Sequence, residues 1–484
     1  MASVLRACCL VLPALLLACG DSRAGRPNVI VILVDTLRAD RLSAYGYERP
    51  TSPFMQQLAA EGALFEDVTT QFSWTMPSMV SLFSGRYLTE FMPVVPPENP
   101  TLAECFEAAG YDTLAVVSNM LVDPGGGFAR GFAHYDARPS RAGPDPRPRT
   151  FEEISQDLWP ALEARLAGER KPLLLYLHTF DPHDPYVGHG AFDRELPVDA
   201  APGVEPAGWQ ASELARMGPP PPEGRDDWSA ELALLETERG RYDQEVRYTD
   251  EQLRLLMERL EELGLLEHAV VALVSDHGEG LWEHVPPLDH HVLRESPPST
   301  FFYHKHGAIQ YQEVLATPMI LWGAGVPAGV RVREAVENVD LFPTLLELAD
   351  VPARGELHGR SLVELMAGHV PPWREFVFSN SVKYASVREP SSGLKLLIPK
   401  QGALRAGWKL QLYDLDDDPH ERVDLAQRMP AEVERLAQVH ARWKRRYPTP
   451  DYLDAGVREA DAARRAEAMK ALGYTEMDTG LDEQ

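Results

Sequence analysis

Residues 28–35 read Asn-Val-Ile-Val-Ile-Leu-Val-Asp, an apolar and mostly β-branched run that ends in a carboxylate. A run of this kind predicts a strand buried on both faces, as in a parallel sheet. Packing gives no reason for an apolar strand to end in Asp. Asp35 is therefore either a functional carboxylate or the cap of a following helix.

Similar apolar runs along the chain predict further strands, at 113–117, 173–178, 269–274 and 318–322. Residues 51–62 and 242–263 show helical spacing, the first capped by Thr51 or Ser52. Strands that alternate with helices predict an α/β fold with a mostly parallel central sheet flanked by helices. Short strands at 375–379, 383–388, 394–398 and 410–415, with a helix near 430–446, predict a small antiparallel C-terminal α+β subdomain at 374–447.

Three of the predicted strands end in residues that bind metals: Asp35, the 178–183 segment, and Asp276-His277. Ligands of open α/β sheets bind beyond the carboxyl ends of the strands. Carboxylate and imidazole groups that converge there suit Zn²⁺, Mn²⁺ or a similar divalent ion. We therefore predict a metal centre formed by Asp35, Asp276 and His277.

A hydroxyl group precedes a predicted helix at residues 72–86, Phe-Ser-Trp-Thr-Met-Pro-Ser-Met-Val-Ser-Leu-Phe-Ser-Gly-Arg. Pro77 suits the first turn, which places Thr75 or Ser78 near the helix N-terminus. Anions bind at helix N-termini, and a hydroxyl that contacts a metal there can act as a nucleophile. The alternative is that Thr75 is only an N-cap.

Histidines supply the remaining candidates for chemistry. His183 lies between Pro182 and Pro185 at a strand exit, and it suits a general acid or a donor to an oxyanion. Further histidines concentrate between 277 and 306, which favours a site over scattered surface positions.

The segment 187–240 contains four consecutive prolines and little apolar periodicity. A long irregular insertion after a strand end predicts either a lid over the site or a passive surface loop. The tail at 448–484 is charged, poor in core residues and contains a helical stretch at 457–472.

The 484-residue chain carries 47 Lys and Arg against 73 Asp and Glu, a formal charge of −26. This balance excludes nucleic acid as a general partner and disfavours adhesion to anionic surfaces. Its hydrophobic content of 44% is that of a globular protein.

The N-terminus predicts export. Residues 1–19 combine one positive charge, a short apolar stretch and the ending Leu-Leu-Ala-Cys, as in a bacterial lipoprotein signal peptide followed by a linker at 20–26. We expect lipidation at Cys19 and a membrane anchor in the cell envelope; the alternative is a plain signal peptide in which Cys19 is incidental. With Cys19 acylated, Cys105 has no intramolecular partner, so no disulfide is expected.

The motifs together resemble the sulfatase family of the alkaline phosphatase superfamily. The segments that carry the resemblance, in chain order from about 27 to 447, are PNVIVILVDTLRADRLSAYGY, LYLHTFDPHDPY, YDQEVRYTDEQLRLLMERLEELGLLEHAVVALVSDHGEGLWEH, HGAIQYQEVLATPMILWGAG, VENVDLFPTLLELADVP and KLQLYDLDDDPHERVDLA. The resemblance implies an alkaline-phosphatase-like catalytic domain at 27–373.

At the positions that match the family's motifs, the resemblance implies metal ligands at Asp35, Asp276 and His277, with Ca, Mn, Zn or Mg as the ion. It implies Thr75 as nucleophile, His183 and His306 near the substrate or leaving group, and Asn119 and Lys305 as substrate-binding residues.

The chain departs from the sulfatase pattern at several positions. Thr36 stands where typical members have a second ligating Asp. Thr75 replaces the Cys or Ser that becomes formylglycine, so no formylglycine is expected. Met79 replaces the Arg of that motif, and Ser118 and Met120 replace a Lys and a His.

A Thr at the nucleophile position is the pattern of superfamily members that act on phosphate esters. The expected function is a metal-dependent hydrolase or transferase of phosphate or sulfate esters, acting through Thr75 on a small anionic ester, lipid headgroup or glycan. Two alternatives stay open: sulfate-ester hydrolysis without formylglycine, and an inactive sulfatase-fold binding protein of the envelope.

Overall fold

The strand predicted at 28–34 runs through the middle of an eight-stranded sheet. The computed structural model describes residues 25–140, 146–168, 170–198, 229–284, 304–369, 373–405 and 407–449. Its strands are β1 (Asn28–Val34), β2 (Ala63–Phe65), β3 (Val68–Thr69), β4 (Asp112–Val117), β5 (His134–Asp136), β6 (Leu173–Thr179), β7 (Ala269–Val274), β8 (Gly280–Leu281), β9 (His304–Lys305), β10 (Met319–Gly323), β11 (Val330–Val332), β12 (Val336–Glu337), β13 (Val377–Asn380), β14 (Tyr384–Arg388), β15 (Leu394–Pro399) and β16 (Gln411–Asp414).

Helices flank this sheet and the smaller one that follows it. They are α1 (Pro53–Glu61), α2 (Thr75–Ser84), α3 (Leu102–Ala108), α4 (Phe151–Leu166), α5 (Ala191–Glu195), α6 (Ser229–Glu262), α7 (Gln312–Leu315), α8 (Leu341–Leu348), α9 (Val363–Met366), α10 (Gln401–Arg405) and α11 (Pro430–Arg446). Short 3₁₀ turns occupy Ala39–Arg41, Ser43–Tyr45, Pro124–Gly126 and Asn338–Asp340.

The central sheet has the order β11-β2-β10-β7-β1-β6-β4-β5. β1 pairs in parallel with β6 and β7, and β4 pairs in parallel with β6 and β5. The mostly parallel α/β fold is therefore confirmed. The strand predicted at 318–322 is also present, as β10, and it runs antiparallel to β7 and β2.

Side chains of β1 alternate between two cores on opposite faces of the sheet. Val29, Val31 and Leu33 belong to one buried cluster, whereas Ile30, Ile32 and Val34 belong to the other. Burial on both faces explains why the strand has no polar alternation.

The helix predicted at 51–62 is α1, and its cap differs from the prediction. Ser52 occupies the N-cap position, but its side chain makes no capping hydrogen bond there. Instead, the carboxylate of Asp250 on α6 accepts from the backbone N–H groups of Phe54 and Met55, at 3.0 and 2.8 Å. The cap thus comes from a residue almost 200 positions away, which local sequence does not reveal.

The helix predicted at 242–263 begins earlier, at Ser229, and so includes residues 229–240 of the predicted insertion. Before it, His189 stacks on Tyr248 of this helix with ring centroids 3.7 Å apart. Residues 199–228 lie outside the described part of the chain, so a lid role stays a prediction.

The C-terminal subdomain is present as an antiparallel sheet, β13-β14-β15-β16, with α11 packed against β14 and β15. Its first strand reaches the catalytic domain, because Ser73 N–H donates to the Asn380 carbonyl and Asn380 N–H donates to that of Gln71. The subdomain therefore supports the segment that leads to Thr75.

Cys105 is a free, buried thiol, and no helix within the described ranges is long and apolar enough to cross a membrane. The signal peptide, Cys19 and the helical stretch at 457–472 lie outside the described residues.

Candidate active site

The register of the sheet brings three strand exits to one place. Val34 pairs with Thr179 of β6, and Leu33 pairs with Val274 of β7. Asp35, His178 and Asp276 therefore lie side by side, and ligand atoms of these three buried residues are all within 4.8 Å of one another. The convergence predicted from the sequence is present.

Two buried carboxylate oxygens of this group, Asp35 Oδ1 and Asp276 Oδ2, have no hydrogen-bond partner. The same is true of Thr36 Oγ1, which belongs to the residue after Asp35. His277 Nε2 lies 3.2 Å from Asp276 Oδ2 and 3.9 Å from Asp35 Oδ1. Because buried oxygens are costly to leave unpaired, two carboxylates and one imidazole in this arrangement fit a divalent cation.

The tautomer of His277 is fixed by its own backbone neighbour. Its Nδ1 donates to the Gly278 carbonyl at 2.8 Å, so Nε2 carries the lone pair. His178 differs, because its Nε2 lies 3.3 Å from Asp35 Oδ2 and its Nδ1 3.2 Å from the Tyr176 hydroxyl. We infer that His277 is a metal ligand and that His178 orients Asp35 through the contact with its Oδ2.

The two carboxylates have opposite pKa shifts. Burial raises the pKa of Asp276, and the negative charge of Asp35 raises it further. Burial also acts to raise the pKa of Asp35, but the hydrogen bond from His178 and the charge of His183 hold it well below its usual range. Opposite shifts in adjacent carboxylates are typical of functional sites.

Thr75 is the first residue of α2 and is completely buried. Trp74 occupies the N-cap position, so the alternative that Thr75 is only an N-cap is wrong. The Thr75 hydroxyl lies 3.1 Å from His277 Nε2. This places the hydroxyl beside the predicted metal centre and at the positive end of a helix.

The positions that depart from the sulfatase pattern are buried or half-buried. Thr36 is buried and adopts φ of 54°, a left-handed conformation that is rare for a β-branched residue. Met79 lies on α2, and its side chain is buried in the hydrophobic core. The Ser118 hydroxyl donates to the Arg149 carbonyl, and the half-buried Met120 packs against a small aromatic cluster.

His183 and His306 lie together on the side of the site next to His277. Their ring centroids are 5.1 Å apart, and those of His277 and His306 are 4.2 Å apart. Glu279 Oε1 lies 3.1 Å from His306 Nδ1. The structure thus brings together the two predicted histidines and adds a buried carboxylate.

Asn119 contacts Asp35, a residue of the predicted metal centre. Its Nδ2 donates to Asp35 Oδ2 at 2.5 Å, and its Oδ1 accepts from Leu121 N–H. A contact with substrate stays a prediction. The side chain of Lys305 lies outside the described residues, although its backbone pairs with Gly280.

Sequence reasoning missed two residues, His178 as a partner of Asp35 and Glu279 as a partner of His306. A signal for Glu279 was present, since it follows Asp276-His277-Gly278 directly.

Models of known protein families match this chain. The Sulfatase family model matches residues 27–351, and the model of the N-sulphoglucosamine sulphohydrolase C-terminal region matches 301–445. Arylsulfatase K of Rattus norvegicus is 26% identical over 455 residues, covering 84% of this chain and 76% of that protein.

Two solved structures share the fold. The phosphonate monoester hydrolase of Agrobacterium radiobacter has a TM-score of 0.62 at 20% identity, covering 93% of this chain and 98% of that one. A protein solved with its substrate D-glucosamine-2-N,6-O-disulfate has a TM-score of 0.63 at 18% identity, covering 89% and 100%. Since the family model spans well over half of the chain, this protein belongs to the sulfatase family, a family of ester hydrolases in the alkaline phosphatase superfamily.

Proposed function

We propose that this chain is a metal-dependent hydrolase of phosphate esters that uses the Thr75 hydroxyl as its nucleophile. The observation that carries the proposal is the position of Thr75 Oγ1, 3.1 Å from His277 Nε2 at the predicted metal centre. A threonine cannot supply formylglycine, so the chemistry of typical sulfatases is not available at this position. The fold is shared with a phosphonate monoester hydrolase, a protein that acts at phosphorus.

Asp35, Asp276 and His277 would hold the divalent ion, and Thr75 Oγ1 lies 3.1 Å from Nε2 of His277. When bound, the ion would supply Lewis-acid stabilisation of ester oxygens and a lower pKa for the Thr75 hydroxyl. Asn119 and His178 orient Asp35 through its Oδ2, and Oδ1, which has no hydrogen-bond partner, would be the oxygen available to the ion.

Thr75 then carries the reaction in two displacements. The Thr75 proton passes to solvent, and the deprotonated Oγ1 attacks phosphorus; the bond from Oγ1 to phosphorus forms, the bond from phosphorus to the leaving oxygen breaks, and the leaving oxygen takes a proton from solvent. Water next attacks phosphorus and gives a proton to solvent, the bond to Oγ1 breaks, and Oγ1 takes a proton from solvent. An acceptor alcohol in place of water gives transfer instead of hydrolysis. Throughout, the N-terminus of α2 favours the negative charge that forms beside Thr75.

The test is an assay of the purified chain, loaded with Mn²⁺ and with Zn²⁺ in turn, on p-nitrophenyl esters. We expect turnover of the phosphate monoester or diester, and a fall in kcat of roughly 10³-fold in Thr75→Ala. Thr101→Ala is the matched control, because Thr101 is also at a helix N-terminus but accepts from Glu104 N–H, at the cap of α3. Equal phosphate turnover in wild type and Thr75→Ala would contradict the proposal.

A second candidate function is hydrolysis of sulfate esters without formylglycine. It is favoured by the similarity to arylsulfatase K and by the fold shared with a protein whose substrate is a sulfated glucosamine. In this case Thr75 only positions the substrate. Turnover of p-nitrophenyl sulfate that survives Thr75→Ala would favour it over the first proposal.

An inactive binding protein is the third possibility. The buried carboxylate oxygens without hydrogen-bond partners argue against it, because a fold that no longer binds an ion gains stability by replacing them. Failure of every substrate with both metals would favour this possibility.

We also propose that the chain is exported to the bacterial cell envelope and anchored to a membrane through a lipid at Cys19. The support is the N-terminal sequence alone. Cys19→Ala is expected to move the protein from the membrane fraction to the soluble fraction of cells that express the full chain. Equal membrane association of both forms would contradict the anchor.

A further inference from the structure

A second group of potential metal ligands lies beside the first. It consists of His183, Glu279 and His306, and one ligand atom from each lies within 4.8 Å of the others. All three are buried: the exposed fraction is 4% for His183, 0% for Glu279 and 2% for His306. Two imidazoles and one carboxylate form a ligand set that Zn²⁺ uses at catalytic sites, where the fourth position stays open.

We propose that these three side chains bind a second divalent ion, Zn²⁺, next to the centre formed by Asp35, Asp276 and His277. The proposal concerns how many ions the chain binds, and it does not depend on Thr75 as the nucleophile.

Three separate segments supply the ligands, and the fold holds each in place. His183 follows the exit of β6, Glu279 follows the exit of β7, and His306 follows β9. β8 and β9 pair, with Gly280 opposite Lys305, which keeps Glu279 and His306 adjacent. Arg38 also donates to the Glu279 carbonyl at 3.0 Å. Backbone pairing therefore positions Glu279 and His306.

The tautomer of His183 favours a ligand over a proton donor. Its Nδ1 lies 2.5 Å from the Asp184 carbonyl, which requires a proton on Nδ1. In the neutral ring that a metal binds, Nε2 then carries the lone pair. Histidines that bind metals commonly donate their other N–H to a backbone carbonyl in this way.

The two groups of ligands adjoin each other. The rings of His277 and His306, one from each group, have centroids 4.2 Å apart. Adjacent divalent ions are a recurrent arrangement for in-line displacement at phosphorus, where they stabilise the attacking and the leaving oxygen. A second ion would thus explain why His183, Glu279 and His306 lie close together.

The test is metal stoichiometry. The purified chain is stripped with a chelator, titrated with Zn²⁺ by calorimetry, and its bound zinc is counted by mass spectrometry after gel filtration. We expect two zinc ions per wild-type chain and one in Glu279→Gln. The matched control is Glu313→Gln, because Glu313 pairs with His284 at 2.6 Å in another buried carboxylate–imidazole pair. This control is expected to keep both ions.

One zinc ion in the wild type, or two in Glu279→Gln, would overturn the proposal. If Glu279→Gln does not fold, as judged by circular dichroism, His183→Asn serves as the second variant with the same expected loss of one ion. Turnover that depends on Thr75 with only one ion per chain would uphold the proposed function while overturning the second site.

Discussion

At the scale of single residues, Thr36 is the position where the chain differs most informatively from its family. It combines a left-handed backbone with a buried hydroxyl that has no hydrogen-bond partner, next to Asp35. Asp tolerates this backbone better than a β-branched residue does, and it would add a carboxylate to the metal centre. We predict that Thr36→Asp binds a divalent ion at least about tenfold more tightly, as measured by calorimetry.

Thr36→Asn separates the two effects of that change, because it has the same backbone tolerance but adds no charge. It is expected to raise the melting temperature of the metal-free protein without the gain in metal affinity. If Thr36→Asp and Thr36→Asn bind the ion equally tightly, Thr36 does not face the metal centre.

At the scale of elements, a partly buried ion pair joins the segment that follows β1 to the segment that follows β8. Arg38 Nη1 lies 2.6 Å from Glu283 Oε1. Burial acts to raise the pKa of Glu283, but the charges of Arg38, Arg239 and Arg41 hold it below its ordinary value of 4.5. A carboxyl whose pKa is lowered in the folded state stabilises the fold above its ordinary pKa, and this contribution is lost as the pH falls below it.

We therefore predict that the wild type loses more stability between pH 7 and pH 3.5 than Glu283→Gln does. Thermal unfolding at a series of pH values measures the difference. The variant is expected to be less stable at pH 7 and to approach the wild type in acid. Melting curves that shift in parallel would show that the ion pair does not link the two segments energetically.

The turn after β7 depends on a glycine for steric reasons. A Cβ built on Gly278 would lie 2.0 Å from the Glu313 carbonyl oxygen, and the Gly278 N–H donates to the Val314 carbonyl. We predict that Gly278→Ala lowers the free energy of unfolding by about 1–3 kcal/mol, measured by urea denaturation. Gly168→Ala is the control, since the nearest atom to its Cβ is 3.4 Å away. Equal stability of the two variants would contradict the tight packing at this turn.

The elements that sequence predicts well are those that local pattern determines. The strands β1, β4, β6 and β7 follow from apolar runs, because burial on both faces favours apolar side chains. The cap of α1 by Asp250 and the antiparallel direction of β10 depend on contacts between distant segments. Local pattern carries no information about these contacts.

At the scale of the whole molecule, the net charge of −26 opposes the approach of an anionic ester to the proposed site. The attraction for an anionic ester must be local, because the field of the whole protein repels it. We predict that kcat/KM for a highly charged substrate rises with moderate salt, which screens that field. A steady fall in kcat/KM as salt is added would contradict this prediction.

The direction of the strands makes part of the site predictable from the sequence. The carboxyl ends of parallel strands lie at the same edge of the sheet. Sequence alone therefore predicts that Asp35, Asp276 and His277 lie close together. The hydrogen bonds of His178 to Asp35 and of Asn119 to the same oxygen could not be predicted, because they depend on side-chain orientation. The same holds for the pairing of Glu279 with His306.

The most direct test of the central claim is the covalent intermediate on Thr75. The enzyme is mixed with bis-(p-nitrophenyl) phosphate, quenched in acid during turnover, digested and analysed by peptide mass spectrometry. The account predicts a phosphoryl adduct on Thr75 that is absent from Thr75→Ala. Turnover with an adduct on Ser78 instead, or an unmodified Thr75 with undiminished activity in Thr75→Ala, would contradict it.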